Sequence, residues 1–151
     1  MKIVLLFFLG FTIFFSNASE NKNGSQLTKE EMLCTKTWKT YEKFSEANNQ
    51  RKSYYKRGGS SNTIDLDSDS IKFTLDNTGT YFYLNNKHPL TWNFTNLEKT
   101  QFKMIIDFGD EGISHINLDT FSLSENIIKY SRKQITTNLT FYEAGILVPN
   151  N

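Results

Sequence analysis

Ile71-Lys72-Phe73-Thr74-Leu75-Asp76-Asn77-Thr78-Gly79-Thr80-Tyr81-Phe82-Tyr83-Leu84 is the stretch that decides the fold. Ile71, Phe73 and Leu75 alternate with Lys72, Thr74 and Asp76, the period of a strand with one buried face. Asn77-Thr78-Gly79 supplies residues that tolerate positive φ, so Thr80 to Leu84 is expected to fold back as the second arm of a hairpin. Downstream the same grammar repeats. Leu90, Trp92 and Phe94 alternate with polar neighbours, and Phe102 to Asp107 ends at a Gly109-Asp110-Glu111-Gly112 turn. Ile113 to Leu123 changes its apolar parity between Leu118 and Phe121, which predicts a bulge. Ile127 to Lys133 and Asn138 to Tyr142 complete the series.

Upstream, Trp38 to Phe44 is aromatic and β-branched and fits a first strand. Before it, Thr28 with Glu31 three residues later makes a capping box, which predicts a short helix over Leu27 to Cys34. Between this strand and the hairpin, Ser45 to Ser70 shows no clear period and is expected to be a long loop, of the kind that is functional or disordered. Together these give eight strands with short turns and no crossover helices. The predicted fold is all-β: an antiparallel, eight-stranded, up-and-down barrel with a short N-terminal helix.

The beginning of the chain has another character. Lys2, an apolar run from Ile3 to Phe15 and the small residues Ser16 and Ala18 read as a secretory signal cleaved after Ala18. The run is too short to be a comfortable membrane span, and no second such run follows. The expected organisation is a signal over 1–18, a flexible lead over 19–26, a barrel over 27–144 and a tail over 145–151. The location expected is periplasmic or extracellular. Of 17 Lys+Arg and 16 Asp+Glu, removing Lys2 leaves a balanced 16 against 16, which gives no general reason to bind nucleic acid. Cys34 is the single cysteine, so no internal disulfide forms. It reads as a small apolar residue rather than a reactive thiol, with no base beside it.

A short helix, a tryptophan opening strand one, a long loop, then Phe73 to Tyr81 and Leu90-Thr91-Trp92-Asn93-Phe94 together resemble the lipocalin-like domains of small exported bacterial proteins. The likeness spans roughly Leu27 to Ala144. In lipocalins the first-strand tryptophan closes one barrel end against an arginine from a late strand. The resemblance gives those roles to Trp38, within Lys36-Thr37-Trp38 where that family carries Gly-Xaa-Trp, and to Arg132. It also places the long loop across the open mouth as a lid, carrying Arg51, Tyr54, Tyr55 and Arg57, with Lys52 and Lys56 among them.

The candidate chemistry is sparse. Asp65, Asp67 and Asp69 alternate like calcium-loop ligands with Asp76 in twelfth place, but the sixth place holds Ser70 and the eighth Lys72. A solvated acidic loop is the plainer reading. His88 and His115 lie in different elements with no metal-ligand spacing, and no nucleophile motif is present. The sequence therefore predicts no enzyme, metal or cofactor. Tyr81, Tyr83, Trp92, Phe94, Phe121 and Tyr130 are expected to face inward, as plain core or as the wall of a ligand site. An eight-stranded interior is wide enough for side chains or for one small ligand. The expected function is binding of a small apolar or amphipathic molecule in the barrel. The alternative is a filled barrel that binds another envelope protein through its surface.

Overall fold

The protein, seen in a computed structural model, is described over residues 26–150. The expected signal at 1–18 and all but the last residue of the expected lead at 19–26 lie outside the described residues. The first described element is α1 (Lys29–Cys34), capped as its sequence predicts. The Glu31 amide donates to the Thr28 hydroxyl at 3.2 Å and the Thr28 amide donates to the Glu31 carboxylate at 2.8 Å.

β1 (Thr37–Ala47) is followed by Asn48 and Asn49, both at positive φ (50° and 62°), and then by β2 (Gln50–Lys56). The two asparagines make a two-residue turn whose twist suits a hairpin, and β2 pairs with β1 from Glu42 to Ala47. The loop expected over Ser45 to Ser70 is therefore half strand. What remains, residues 57–69, is a shorter strap. The chain continues through β3 (Ser70–Phe73), β4 (Thr78–Tyr83), β5 (Asn86–Phe94) and β6 (Phe102–Asp107). β7 (Ile113–Leu118), β8 (Thr120–Ser124), β9 (Ile127–Ile135) and β10 (Thr140–Pro149) follow.

All ten strands belong to one antiparallel sheet in the order β7-β6-β5-β4-β3-β1-β10-β9-β8, with β2 attached to β1. β7 and β8 stand at opposite ends of that order, yet Asp119 alone separates them in the chain. They are one bent stave that pairs with β6 by its first half and β9 by its second. Counted so, the nearly closed barrel has nine strands, one more than the eight expected, because β2 pairs with β1 beside the eight staves that run up and down. The bend falls at the expected parity change, with Leu118 and Phe121 both buried on either side of it. Asp119 holds the corner, its amide donating to the Ser131 carbonyl and its carboxylate accepting from the Lys133 amide at 2.6 Å.

Several boundaries differ from expectation. The hairpin turn comes earlier, with Asn77 at φ 63° and β4 already under way at Thr78. Asp76 causes the shift, because its carboxylate accepts from both the amide and the hydroxyl of Thr78 and from the Thr74 hydroxyl. Leu75 thus sits in the turn and is exposed. Gly79 serves close packing instead, since a Cβ there would strike the Lys72 carbonyl. At the other end, residues 145–149 are strand and not tail. Ile146, Leu147 and Val148 carry β10 on along β1 until Pro149 faces Trp38.

α1 closes one end. Leu33 and Trp38 are fully buried there, and the Trp38 indole donates to the Leu33 carbonyl at 2.8 Å. Lys29 donates to the Glu98 and Lys99 carbonyls, while Lys99 pairs with Glu30 at 2.6 Å. Phe73, Trp92, Phe94, Phe102 and Phe121 interlock, with ring centroids 4.7 to 6.0 Å apart. Each such pair adds about 0.5–1.5 kcal/mol beyond plain burial.

Candidate functional site

The aromatic cluster does not fill the barrel. Above it lies a cavity of about 250 Å³. One side is apolar: Met104 and Ile106 from β6, Ile116 and Leu118 from β7, Phe121 from β8 and Ile128 from β9. The opposite side is a polar shelf built from separate parts of the chain. It takes Lys43 from β1, Asp69 from the end of the strap, Tyr81 from β4, Arg132 from β9 and Glu143 from β10.

Glu143 is buried and holds both cations by one oxygen, with Lys43 at 3.4 Å and Arg132 at 3.1 Å. The Arg132 guanidinium also lies over the Phe141 ring, 5.2 Å from its centroid. Asp69 is 4% exposed and accepts from the Tyr81 hydroxyl at 2.6 Å through one carboxylate oxygen. Burial pushes the Asp69 carboxyl above its usual range, against the Tyr81 hydrogen bond and the nearby Lys43. Burial, and then the bond to Asp69, push the Tyr81 hydroxyl strongly upward. Among the described residues, two buried side-chain atoms make no hydrogen bond: Asp69 Oδ1 and Arg132 Nε. Both belong to residues of this shelf.

The strap closes over the shelf. Arg57 pins it by donating to the Thr40, Leu66 and Asp67 carbonyls at 2.9 to 3.1 Å. Tyr55 is fully buried and donates to the Asp67 carboxylate at 2.6 Å, and burial with this bond pushes its hydroxyl up to about 12. Leu66 is tucked in as a stopper. Beyond it, an open depression at the mouth is lined by Ile64, Tyr83, Leu84 and Phe108, and shares Lys43, Leu66 and Tyr81 with the cavity.

The structure sorts the expected site residues. Tyr81, Phe121 and Tyr130 line the cavity, and Tyr83 stands at its mouth. Trp92 and Phe94 do not reach it. Trp92 is core, its indole donating to the Thr74 and Thr78 carbonyls, and Phe94 packs beside it. Of the expected lid, Tyr55 and Arg57 anchor the strap, whereas Arg51 is exposed and stacks on Tyr54, away from the cavity. Trp38 and Arg132 do not meet. Trp38 faces Pro149 in the β1–β10 register while Arg132 faces Glu143, six residues earlier on β10. The closed end is sealed by α1, and Arg132 serves the cavity.

Lys43, Asp69 and Glu143 are the residues that sequence reading passed over. Asp69 was legible as part of the acidic loop, but Asp65 and Asp67 spend their carboxylates on the strap, on the Asp67 amide and the Tyr55 hydroxyl. No group of three or more metal-ligating side chains occurs among the described residues. Cys34 is half-buried and burial pushes its thiol up, a poor setting for a nucleophile. Among the described residues no helix is long and apolar enough to cross a membrane. The fold and site thus define a nearly closed antiparallel barrel with a polar-lipped internal cavity. No family model, curated protein or solved structure matches this chain.

Proposed function

We propose that this chain is an exported, lipocalin-like binding protein that holds one small amphipathic molecule inside its barrel. One observation carries the reading: a cavity of about 250 Å³ with an apolar wall and a charged shelf of Lys43, Asp69, Arg132 and Glu143. A ligand that covers the apolar wall and meets the shelf with a polar end suits both sides of the cavity. The strap from 57–69, clasped by Arg57, is the gate through which it enters. The resemblance of the helix, the first-strand tryptophan and the hairpin to lipocalin-like domains supports the same reading.

Size bounds the cargo. A cavity of about 150 Å³ takes one benzene, so 250 Å³ takes about ten non-hydrogen atoms at the same filling. Long acyl chains do not fit inside. Native mass spectrometry of the full chain, expressed in a bacterial host and recovered without denaturation, tests the proposal. An added mass of about 150 Da that leaves on unfolding is expected, on a chain beginning at Ser19. A bare chain that also takes up no small apolar probe refutes ligand holding and turns attention to the barrel surface as a protein-binding face. A mass that retains residues 1–18 refutes cleaved export.

A further inference from the structure

Given that the barrel holds a ligand, one side chain decides how long that ligand is. The inner cavity of about 250 Å³ and the open depression at the mouth, of about 620 Å³, have four lining residues in common: Lys43, Leu66, Tyr81 and Phe108. Those four form the partition between the two spaces. Three of them are fixed by contacts of their own side chains. Lys43 stands on β1 with its ammonium 3.4 Å from the Glu143 carboxylate. Tyr81 stands on β4, donates to Asp69 at 2.6 Å and stacks on Tyr83 with ring centroids 5.8 Å apart. Phe108 meets both tyrosines edge-on, at 6.1 and 6.3 Å, and lies 4.6 Å from the His88 ring. Leu66 is different, because the strap carries it and its ties are made by the backbone. Its carbonyl accepts from the Arg57 guanidinium at 3.1 Å and from the Asp69 amide at 3.2 Å, and its side chain is buried.

Both sides of this partition suit a hydrocarbon chain. Inside stand Met104, Ile116 and Phe121, opposite the polar Lys43, Tyr130, Arg132 and Glu143. Outside stand Ile64, Tyr83 and Leu84. We propose that Leu66 sets the upper length of the ligand: with it in place the barrel takes a chain of about ten non-hydrogen atoms, and without it the same chain runs on into the mouth. The ligand class is therefore a medium-chain amphiphile. The limit is steric, so it holds whatever the charge of the polar end.

The test titrates the full chain with straight-chain primary alcohols from pentanol to dodecanol, below their solubility limits, by ligand-observed NMR. These probes are uncharged and differ only in length. On the unmodified protein each added methylene is expected to tighten binding about fourfold up to nonanol, whose size matches the cavity, with no gain beyond it. In Leu66→Ala the gain is expected to continue, so that dodecanol binds at least about tenfold more tightly than nonanol. Leu66→Met, of similar volume, is expected to keep the break at nonanol. Leu66→Val, a smaller cut, is expected to move it to decanol and stands in if Leu66→Ala misfolds. A break that stays at nonanol in the shortened variants overturns the inference and leaves the ligand-holding reading in place. Steady gain through dodecanol on the unmodified protein does the same, since the partition would then be open. Binding of no alcohol to the unmodified protein overturns the inference together with the reading beneath it.

Discussion

Gly145→Ala adds one methyl group to β10 at the point where that strand faces Tyr130 of β9. A Cβ there would lie 2.5 Å from the Tyr130 hydroxyl oxygen and 2.6 and 2.7 Å from two ring carbons. Comfortable carbon contacts begin near about 3.5 Å, so the ring must retreat by about 1 Å. Tyr130 lines the cavity, and the space open to it is the space a ligand would use. Two opposing effects set the size. Alanine is worth about 0.5–1 kcal/mol over glycine in a strand interior, whereas forced overpacking costs about 1–3 kcal/mol. The sum is a net loss of about 1–2 kcal/mol. Urea unfolding of a four-member cycle with Tyr130→Ala isolates the clash. In the Tyr130→Ala background the same methyl is expected to stabilise by about 0.5 kcal/mol, so the sign reverses and the coupling approaches 2 kcal/mol. An equal loss in both backgrounds, or a gain in the unmodified protein, refutes the packing argument.

Asp69→Asn carries a pH signature. The folded carboxyl is held above its ordinary value of 3.8, so the stability linked to its protonation is full below that pH and is lost as pH rises through the raised value. The variant is therefore expected to outlast the parent in urea at pH 7, with the gap closing towards pH 4; a gap that widens in acid refutes this. Arg57→Ala removes three carbonyl contacts from the strap, and hydrogen exchange at the Asp67 and Asp69 amides is expected to rise at least tenfold while the β5 and β6 amides stay protected. Unchanged exchange at those two amides would show that Tyr55 and Leu66 hold the strap without Arg57. Trp38→Phe strands the Leu33 carbonyl under α1 and is expected to cost about 1–3 kcal/mol, read as a lowered midpoint of thermal unfolding; an unmoved midpoint counts against the seal at that end.

The strands with one clean face were legible because alternation survives any topology. Leu90, Trp92 and Phe94 announced β5, and the parity change after Leu118 announced the bend that lets one stave serve both seams of the barrel. β2 was hidden because Gln50 to Lys56 is polar and charged on both faces, and its real signal is the Asn48-Asn49 turn. The residues around the cavity illustrate the other limit. Trp92 and Tyr81 are both aromatic and both point inward, and only their depth in the barrel makes one of them core and the other shelf. Lys43, Asp69, Arg132 and Glu143 are scattered over a hundred positions, and no local spacing relates them. Strand pairing relates them: the register of β1 with β10 and of β10 with β9 sets Lys43, Glu143 and Arg132 side by side.

That same register governs when the molecule can come into being. Among the described residues β1 is the first strand made and β10 the last, and they pair along nearly their whole lengths. Until Thr140 to Pro149 is synthesised, β1 and β9 each keep a bare row of amides and carbonyls, and the loop to be closed spans most of the chain, which is slow to form and open to wrong partners. A growing chain therefore stays threadable until β10 is made, and the arrival of that strand, rather than any early nucleus, seals the barrel. A ribosome-stalled chain ending at Asn138 should accordingly remain as sensitive to protease as an unfolded one.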